Sequence, residues 1–229
     1  MLTWLLENRG NVPFEALLLM LFSYAVLVFV MLPVHEMAHA FAAHLLGDDT
    51  AKWNGRLRFN PLRHLDPLGT TMLVLFGVGF ARPVPINPYN FRNRKAGVAL
   101  SSLAGPLSNL LMAFLSVAAF WLCRMFVDDF QVLTYLWVVL VNVFATVNIS
   151  LAVFNLLPIP PLDGSKIFGF FLPERWVYTM ERYSHYVSVV LMVLLFSGAL
   201  DVPLDFLRET FCNFFGRLFG MPYLFNGYI

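Results

Sequence analysis

Charge is what this sequence has least of. Asp, Glu, Lys and Arg make up 13% of its 229 residues, about half the ~25% usual in a soluble domain. With 59% hydrophobic residues and a mean hydropathy of +0.70, the chain cannot cover a water-facing surface, so much of it must face lipid. Cysteine is almost as scarce. Cys123 and Cys212 stand alone, without C-x-x-C spacing, which excludes a thiolate metal site and a disulfide framework. An excess of either sign of charge is missing too: 15 basic and 14 acidic residues leave +1, so no nucleic-acid partner is expected. Heptads, collagen-like triplets and internal repeats are absent, and no appended soluble domain is expected.

What is abundant is the long apolar run. Residues 16–34 carry no charge, close to the ~20 residues that cross a bilayer. They lack the basic leader and small-residue cleavage site of a signal peptide. The run continues directly into His35-Glu36-Met37-Ala38-His39, so one helix is predicted to reach about Leu46 and stop at Gly47. A basic connector follows over 48–66. Residues 67–81 are apolar but short and interrupted by glycine, which suits a re-entrant or strand-like insertion. In 82–88 alternating prolines forbid a helix and predict an extended edge.

Charge-free runs over 96–123 and 130–162, joined at Asp128-Asp129, predict a transmembrane hairpin. A last span is predicted over 183–200, and an interfacial amphipathic helix over 204–218. Lys and Arg crowd the 47–95 connectors and are nearly missing from the 124–129 turn, which places the connectors in the cytoplasm. His35, His39 and Asp163 then lie towards the cytoplasmic leaflet.

His35 and His39 are one helical turn apart and share a face, with Glu36 beside the first. His-Glu-x-x-His on a helix is the zinc-hydrolase pattern: two nitrogen ligands and an adjacent general base. An ionisable cluster flush with a membrane span points to function by default. A catalytic zinc needs a third protein ligand and an open position. Asp163 is the candidate, since no other charge occurs between 130 and 165. The rival reading of Pro160-Pro161-Leu162-Asp163-Gly164 is a turn built on Asp and Gly.

Together, His35-Glu36-x-x-His39 and Asn155-x-x-Pro158-x-Pro160-Pro161-Leu162-Asp163-Gly164 resemble the motifs of the site-2 proteases, a family of zinc intramembrane metalloproteases. The similarity extends to Gly105-Pro106-Leu107-Ser108-Asn109 and to 81–88, and covers roughly residues 16–170, on the compact branch without PDZ or CBS domains. The resemblance implies that His35, His39 and Asp163 bind Zn2+, that Glu36 activates water, and that Asn155 helps hold the substrate or its oxyanion. A packing or capping amide is the alternative for Asn155. The resemblance also makes 82–88 the family's membrane-inserted β element. There Val84 and Ile86 would offer a strand edge to an unwound substrate helix; a plain proline-rich loop is the rival. Asn109 is a further candidate substrate-binding residue.

Other polar residues read differently. His44 turns away from the His35–His39 face. His64-Leu65-Asp66 reads either as support for a ligand imidazole or as a solvated turn. Gly105-Pro106 reads as close helix packing.

The expected protein is therefore a polytopic α-helical membrane protein of about four to six spans, with a small β element between the first two full spans. Residues 1–172 form the metalloprotease core, and 173–229 an added span and tail. It is expected in the cell membrane as a multi-pass zinc endopeptidase that cuts transmembrane segments of other proteins. Gating would fall to the spans, the tail, a regulatory membrane partner or a second copy of the chain. A metal transporter or sensor using the same ligands is the rival function. A non-catalytic binder of transmembrane helices is a second, disfavoured by retention of every candidate ligand.

Overall fold

The computed structural model describes residues 14–58, 60–76, 79 and 81–225. The chain divides into two compact units, Met1–Arg92 and Asn93–Ile229.

In the first unit, α1 (Phe14–Val26) runs through a wider π-helical stretch (Leu27–Met31) into α2 (Leu32–Leu45). The π stretch has a local cause. Pro33 near the start of α2 lacks an N–H and its ring crowds the preceding carbonyls, and the helix answers by widening, with the Leu32 N–H reaching back five residues to the Leu27 carbonyl. The rod Leu17–Leu45 is long and apolar enough to cross a membrane. It ends as predicted at Gly47, whose φ of +106° suits glycine.

Two short helices follow, α3 (Thr50–Trp53) and α4 (Pro61–His64), both packed on α2. Asn60 caps α4 by accepting the Leu62 N–H at 3.2 Å.

Residues 67–76 are neither strand nor span. They form α5 (Pro67–Phe76), whose start is marked by Pro67 at its first position and by Asp66, which accepts the Gly69 N–H at 2.9 Å. At 1.5 Å per residue α5 extends roughly 15 Å, half the ~30 Å hydrocarbon core. Gly79 lies so close to α5 that a Cβ there would fall 2.1 Å from the Gly69 carbonyl oxygen. Residues 77, 78 and 80 of the expected insertion lie outside the described residues.

The expected β element is not there. Among the described residues there is no strand, only an isolated antiparallel bridge between Leu65 and Ala81, extended by the Arg82 N–H donating to the His64 carbonyl at 2.9 Å. The segment beyond forms neither helix nor strand and makes no backbone pairing among the described residues until Asn87, itself extended, caps the one-turn helix Pro88–Asn90. Pro83 and Pro85 remove the donors a ladder needs, and no second segment pairs with 83–86 among the described residues.

In the second unit, α6 (Arg94–Phe126) starts under an Asn93 cap and turns back at Asp129. There the carboxylate accepts the Gln131 and Val132 N–H groups and opens the second arm. That arm is α7 (Phe130–Leu136), a π stretch (Trp137–Ala145) and α8 (Thr146–Asn155). The arms form the predicted antiparallel hairpin, and both are long and apolar enough to span. Ala113, Val117 and Phe120 on one arm meet Val141, Ala145, Ile149 and Val153 on the other. The Ser116 hydroxyl ties them by donating to the Leu140 carbonyl.

After α9 (Asp163–Gly169), which packs on α6, come α10 (Glu174–Phe196) and α11 (Asp201–Leu218), bent 82° from each other. α11 is amphipathic as expected. It buries Cys212 and Phe215 against the hairpin core and leaves Phe206 and Phe214 exposed.

Three described helices can therefore cross a membrane, or four if the bent pair counts as one span. Three lies below the expected four to six, and four at its lower limit. Glu174, Arg175, Glu181 and Arg182 interrupt the apolar face of α10, and α5 is too short.

Candidate metal centre

The site begins with a helical repeat. His35 and His39, four residues apart on α2, are both buried, at 4% and 6% exposure. Their rings meet edge-on with centroids 4.6 Å apart. The two Nε2 atoms face each other at 3.1 Å. Two nitrogens bound at ~2.05 Å to a tetrahedral ion lie about 3.3 Å apart, so the pair is already spaced as one edge of a zinc tetrahedron. Both donors are of the type zinc takes, and Glu36 stands next to the first with its side chain only partly buried. The residues fit the metal.

Glu36 also acts at a distance on the connector. Arg56 is buried, and its guanidinium donates to the Arg63 carbonyl. Burial lowers the Arg56 pKa, Arg82 and Arg63 add repulsion, and the negative charge of Glu36 works the other way. A buried arginine in the field of the candidate base has no signature in a run of surface-type basic residues, and the sequence reading passed over it.

His44 faces away from the pair, as its spacing predicts, and its Nδ1 meets Asp49 Oδ1 at 2.5 Å. His64 does not lie in a solvated turn. It is fully buried in α4 against α2 and the π stretch, with Nε2 3.4 Å from the Arg58 carbonyl and no partner for Nδ1 among the described residues. Asp66 caps α5 instead of orienting a ligand imidazole.

Burial pushes the His64 pKa down, and Arg56 adds to this, against weaker opposition from the Arg58 carbonyl and Glu36. A buried imidazole that resists protonation stabilises the fold fully above its unfolded value of about 6.5; that contribution is lost as pH falls below it, towards the lowered folded value. Amide exchange at Arg82, whose N–H is bonded to the His64 carbonyl, is expected to lose protection from about pH 6.5 downward after correction for intrinsic rates. A flat protection profile across that range would contradict the assignment.

In the second unit Asp163 opens α9, is 8% exposed, and has the Lys166 ammonium at 3.7 Å. Gly164 does not serve a turn. It lies within the first turn of α9, where a Cβ would fall 2.3 Å from the carbonyl oxygens of both Leu156 and Leu157. The glycine lets α9 pack onto the end of α8 and so seats Asp163. Gly164→Ala is expected to destabilise the protein by about 1–3 kcal/mol through overpacking, read as a lower melting temperature in detergent. An unchanged melt would show that the contact yields freely.

Asn155 donates from Nδ2 to the Leu151 carbonyl at 2.9 Å, which leaves the second amide hydrogen of that nitrogen uncommitted by this bond. Asn109 is fully buried in α6, and neither its amide oxygen nor its nitrogen has a partner among the described residues. Asn148 on α8 is likewise enclosed, with Oδ1 unpaired. Val84 and Ile86, in the first unit, are half-buried on the unpaired extended segment.

The sequence was compared with known proteins. The profile of peptidase family M50 matches residues 123–197, a stretch that includes Asn155 and Asp163. "Putative zinc metalloprotease YwhC" of Bacillus subtilis (strain 168) is 37% identical over 209 residues, covering 88% of this chain and 94% of that protein. The Rip2 protein of Mycolicibacterium smegmatis, named in the same terms, is 30% identical over 174 residues, covering 73% of this chain and 64% of its own. MJ0611 of Methanocaldococcus jannaschii, also so named, is 31% identical over 101 residues, 44% of this chain and 48% of that protein. No solved structure matches. Buried paired imidazoles with a carboxylate beside them, on a helix able to span a membrane, agree with near full-length similarity to one such relative: the chain belongs to peptidase family M50, the site-2 proteases, and is a membrane-embedded zinc metalloprotease.

Proposed function

We propose that this protein hydrolyses peptide bonds in or near transmembrane segments of other membrane proteins, with His35, His39 and Asp163 as the ligands of one zinc ion. The observation that carries the reading is the pair of buried Nε2 atoms 3.1 Å apart with Glu36 adjacent on the same helix. For Asp163 the support is chemical. It is a buried carboxylate at the end of a long charge-free stretch, held by a glycine that tolerates no side chain, and it supplies the third ligand type such a site takes.

Zinc, when bound, supplies a Lewis acid that polarises the scissile carbonyl and lowers the pKa of water to about 7. The rest falls to side chains. Glu36 accepts the proton of the attacking water and returns it to the leaving amine. Asn155 retains an amide hydrogen that can be donated to the tetrahedral oxyanion, an interaction worth about 3–4 kcal/mol in other hydrolases. Val84 and Ile86 hold the unwound substrate through their backbone, and Asn109 contributes from α6 once its enclosed amide is opened to substrate.

The site faces the cytoplasmic leaflet of the cell membrane in a multi-pass protein, a reading that the Lys and Arg of the connectors support through the positive-inside rule. A regulatory membrane partner or a second copy of the chain gates access. A carrier of metal ions has no use for a carboxylate beside its first histidine, so Glu36 favours hydrolysis over transport. The test is cleavage of a single-span helical reporter by the intact protein and by Glu36→Gln.

A further inference from the structure

The Asp48 carboxylate accepts four hydrogen bonds, and it has no part in the reaction described above. It is fully buried. One carboxylate oxygen accepts the Thr50 N–H at 3.1 Å, the Thr50 hydroxyl at 2.5 Å and the Asn90 amide at 2.7 Å. The other accepts the Asn87 N–H at 2.7 Å. Burial raises the pKa of this carboxyl, but the bonds from Thr50, Asn87 and Asn90 together outweigh it and hold the group below the usual carboxylate range, so it stays ionised.

The placement of these bonds matters more than their number. Asp48 directly follows Gly47, where the helix carrying His35, Glu36 and His39 stops, and a Cβ on Gly47 would lie 3.4 Å from the Asn90 carbonyl. Asn87 and Asn90 close the extended segment. Its other end is pinned at Ala81 and Arg82 by the pairing with Leu65 and His64. Residues 82–86 are thus strung between two fixed points, one of them the end of the histidine helix.

The prolines give this segment one usable side. In an extended chain the N–H groups of alternate residues point the same way. Residues before a proline are held in the extended or polyproline region. With the chain extended, Val84 and Ile86 present donors, without a partner among the described residues, on the edge where Arg82 already donates to the His64 carbonyl, while Pro83 and Pro85 leave the other edge without any. A substrate strand can pair on one side only, and its register depends on where the ends are held.

Resting on the proposed function, we propose that Asp48 is a positioning residue for the substrate: it clamps the 82–86 edge at a set register to the C-terminal end of the histidine helix. A helix is stiff along its axis, so a clamp just past the end of α2, which lies six residues or about 9 Å beyond His39 at 1.5 Å per residue, sets the distance from edge to general base. Asp48→Asn replaces one acceptor oxygen with a donor; whichever way the amide turns, one N–H of Thr50, Asn87 or Asn90 then faces an N–H.

The experiment uses the zinc-loaded full chain in detergent and a single-span reporter that the intact protein cuts and Glu36→Gln does not. For Asp48→Asn, KM is expected to rise about tenfold, with a smaller change in kcat and with zinc content unchanged. Spin labels at Leu45 and Tyr89, both exposed, are expected to report a broadened distance distribution. Asn90→Ala, which removes one donor on the surface, is expected to shift KM the same way by a smaller factor and serves if Asp48→Asn does not fold. Unchanged KM in either folded variant, or a narrow distance distribution retained, overturns the clamp. A parallel loss of kcat and zinc also overturns it, because Asp48 would then merely hold the metal helix together. Reporter cleavage that survives Glu36→Gln instead overturns the underlying reading of Glu36 and its neighbouring histidines as the hydrolytic site.

Discussion

Glu36→Gln is expected to leave zinc binding intact and to lower cleavage of a membrane-anchored helical reporter by at least ~10²–10⁴-fold, the range usual for general acid–base catalysis. Gln matches the shape of Glu and leaves both imidazoles in place, so the Nε2 pair keeps its 3.1 Å spacing. What it cannot do is accept a proton from water at neutral pH. Because the same proton must reach the leaving amine, one substitution removes both transfers. Zinc content by elemental analysis, set beside turnover in the same preparation, separates the two effects. Retained metal with lost turnover is the expected outcome. Turnover close to that of the intact protein would assign the base to another residue.

Asp163→Ala should have the second large effect, this time on the metal. Losing the outer-shell partner of a zinc ligand already weakens binding by about 10–100-fold, so losing a ligand should weaken it by more. Competition against a chelator of known affinity measures the change. The helix that carries Asp163 should survive, since the charge-free packing of α9 on α6 and the close seat of Gly164 do not use the carboxylate. The 3.7 Å contact with half-exposed Lys166 is a weak one and its loss should matter little. Zinc affinity equal to that of the intact protein would place the third ligand outside the LDG motif.

How legible each part was depended on whether its cause is local. The HExxH pair was legible because helical period alone brings His35 and His39 to one face, and the structure only adds their spacing. The first span and the hairpin were legible because a long charge-free run has few alternatives in lipid. Residues 67–81 misled because glycine was read as interrupting helix. Asp66-Pro67 in fact carries a clear start signal for α5, and Gly79 is used for close approach to that helix. The β element misled for a different reason. An extended segment becomes a strand only when a second segment lies beside it, and nothing in 82–88 encodes that neighbour. The sequence leaves His64 open between a turn and support for a ligand imidazole, because its burial depends on how α4 packs against α2 and the π stretch.

By itself the sequence determined the solvent, the family and the chemistry: lipid from the scarcity of charge, zinc hydrolysis from two spaced motifs. Lipid follows from composition and the shared face of the two histidines from a period of one helical turn, while the family follows from the resemblance of the two motifs. Only the tertiary structure decided that Asp48 meets Asn87 and Asn90, 39 and 42 residues further on. It also decided that Gly164 serves close approach rather than a turn, and that the proline-rich edge has no ladder partner among the described residues. Such contacts form when the chain returns on itself, and a returning chain leaves no local mark on either of the segments that meet.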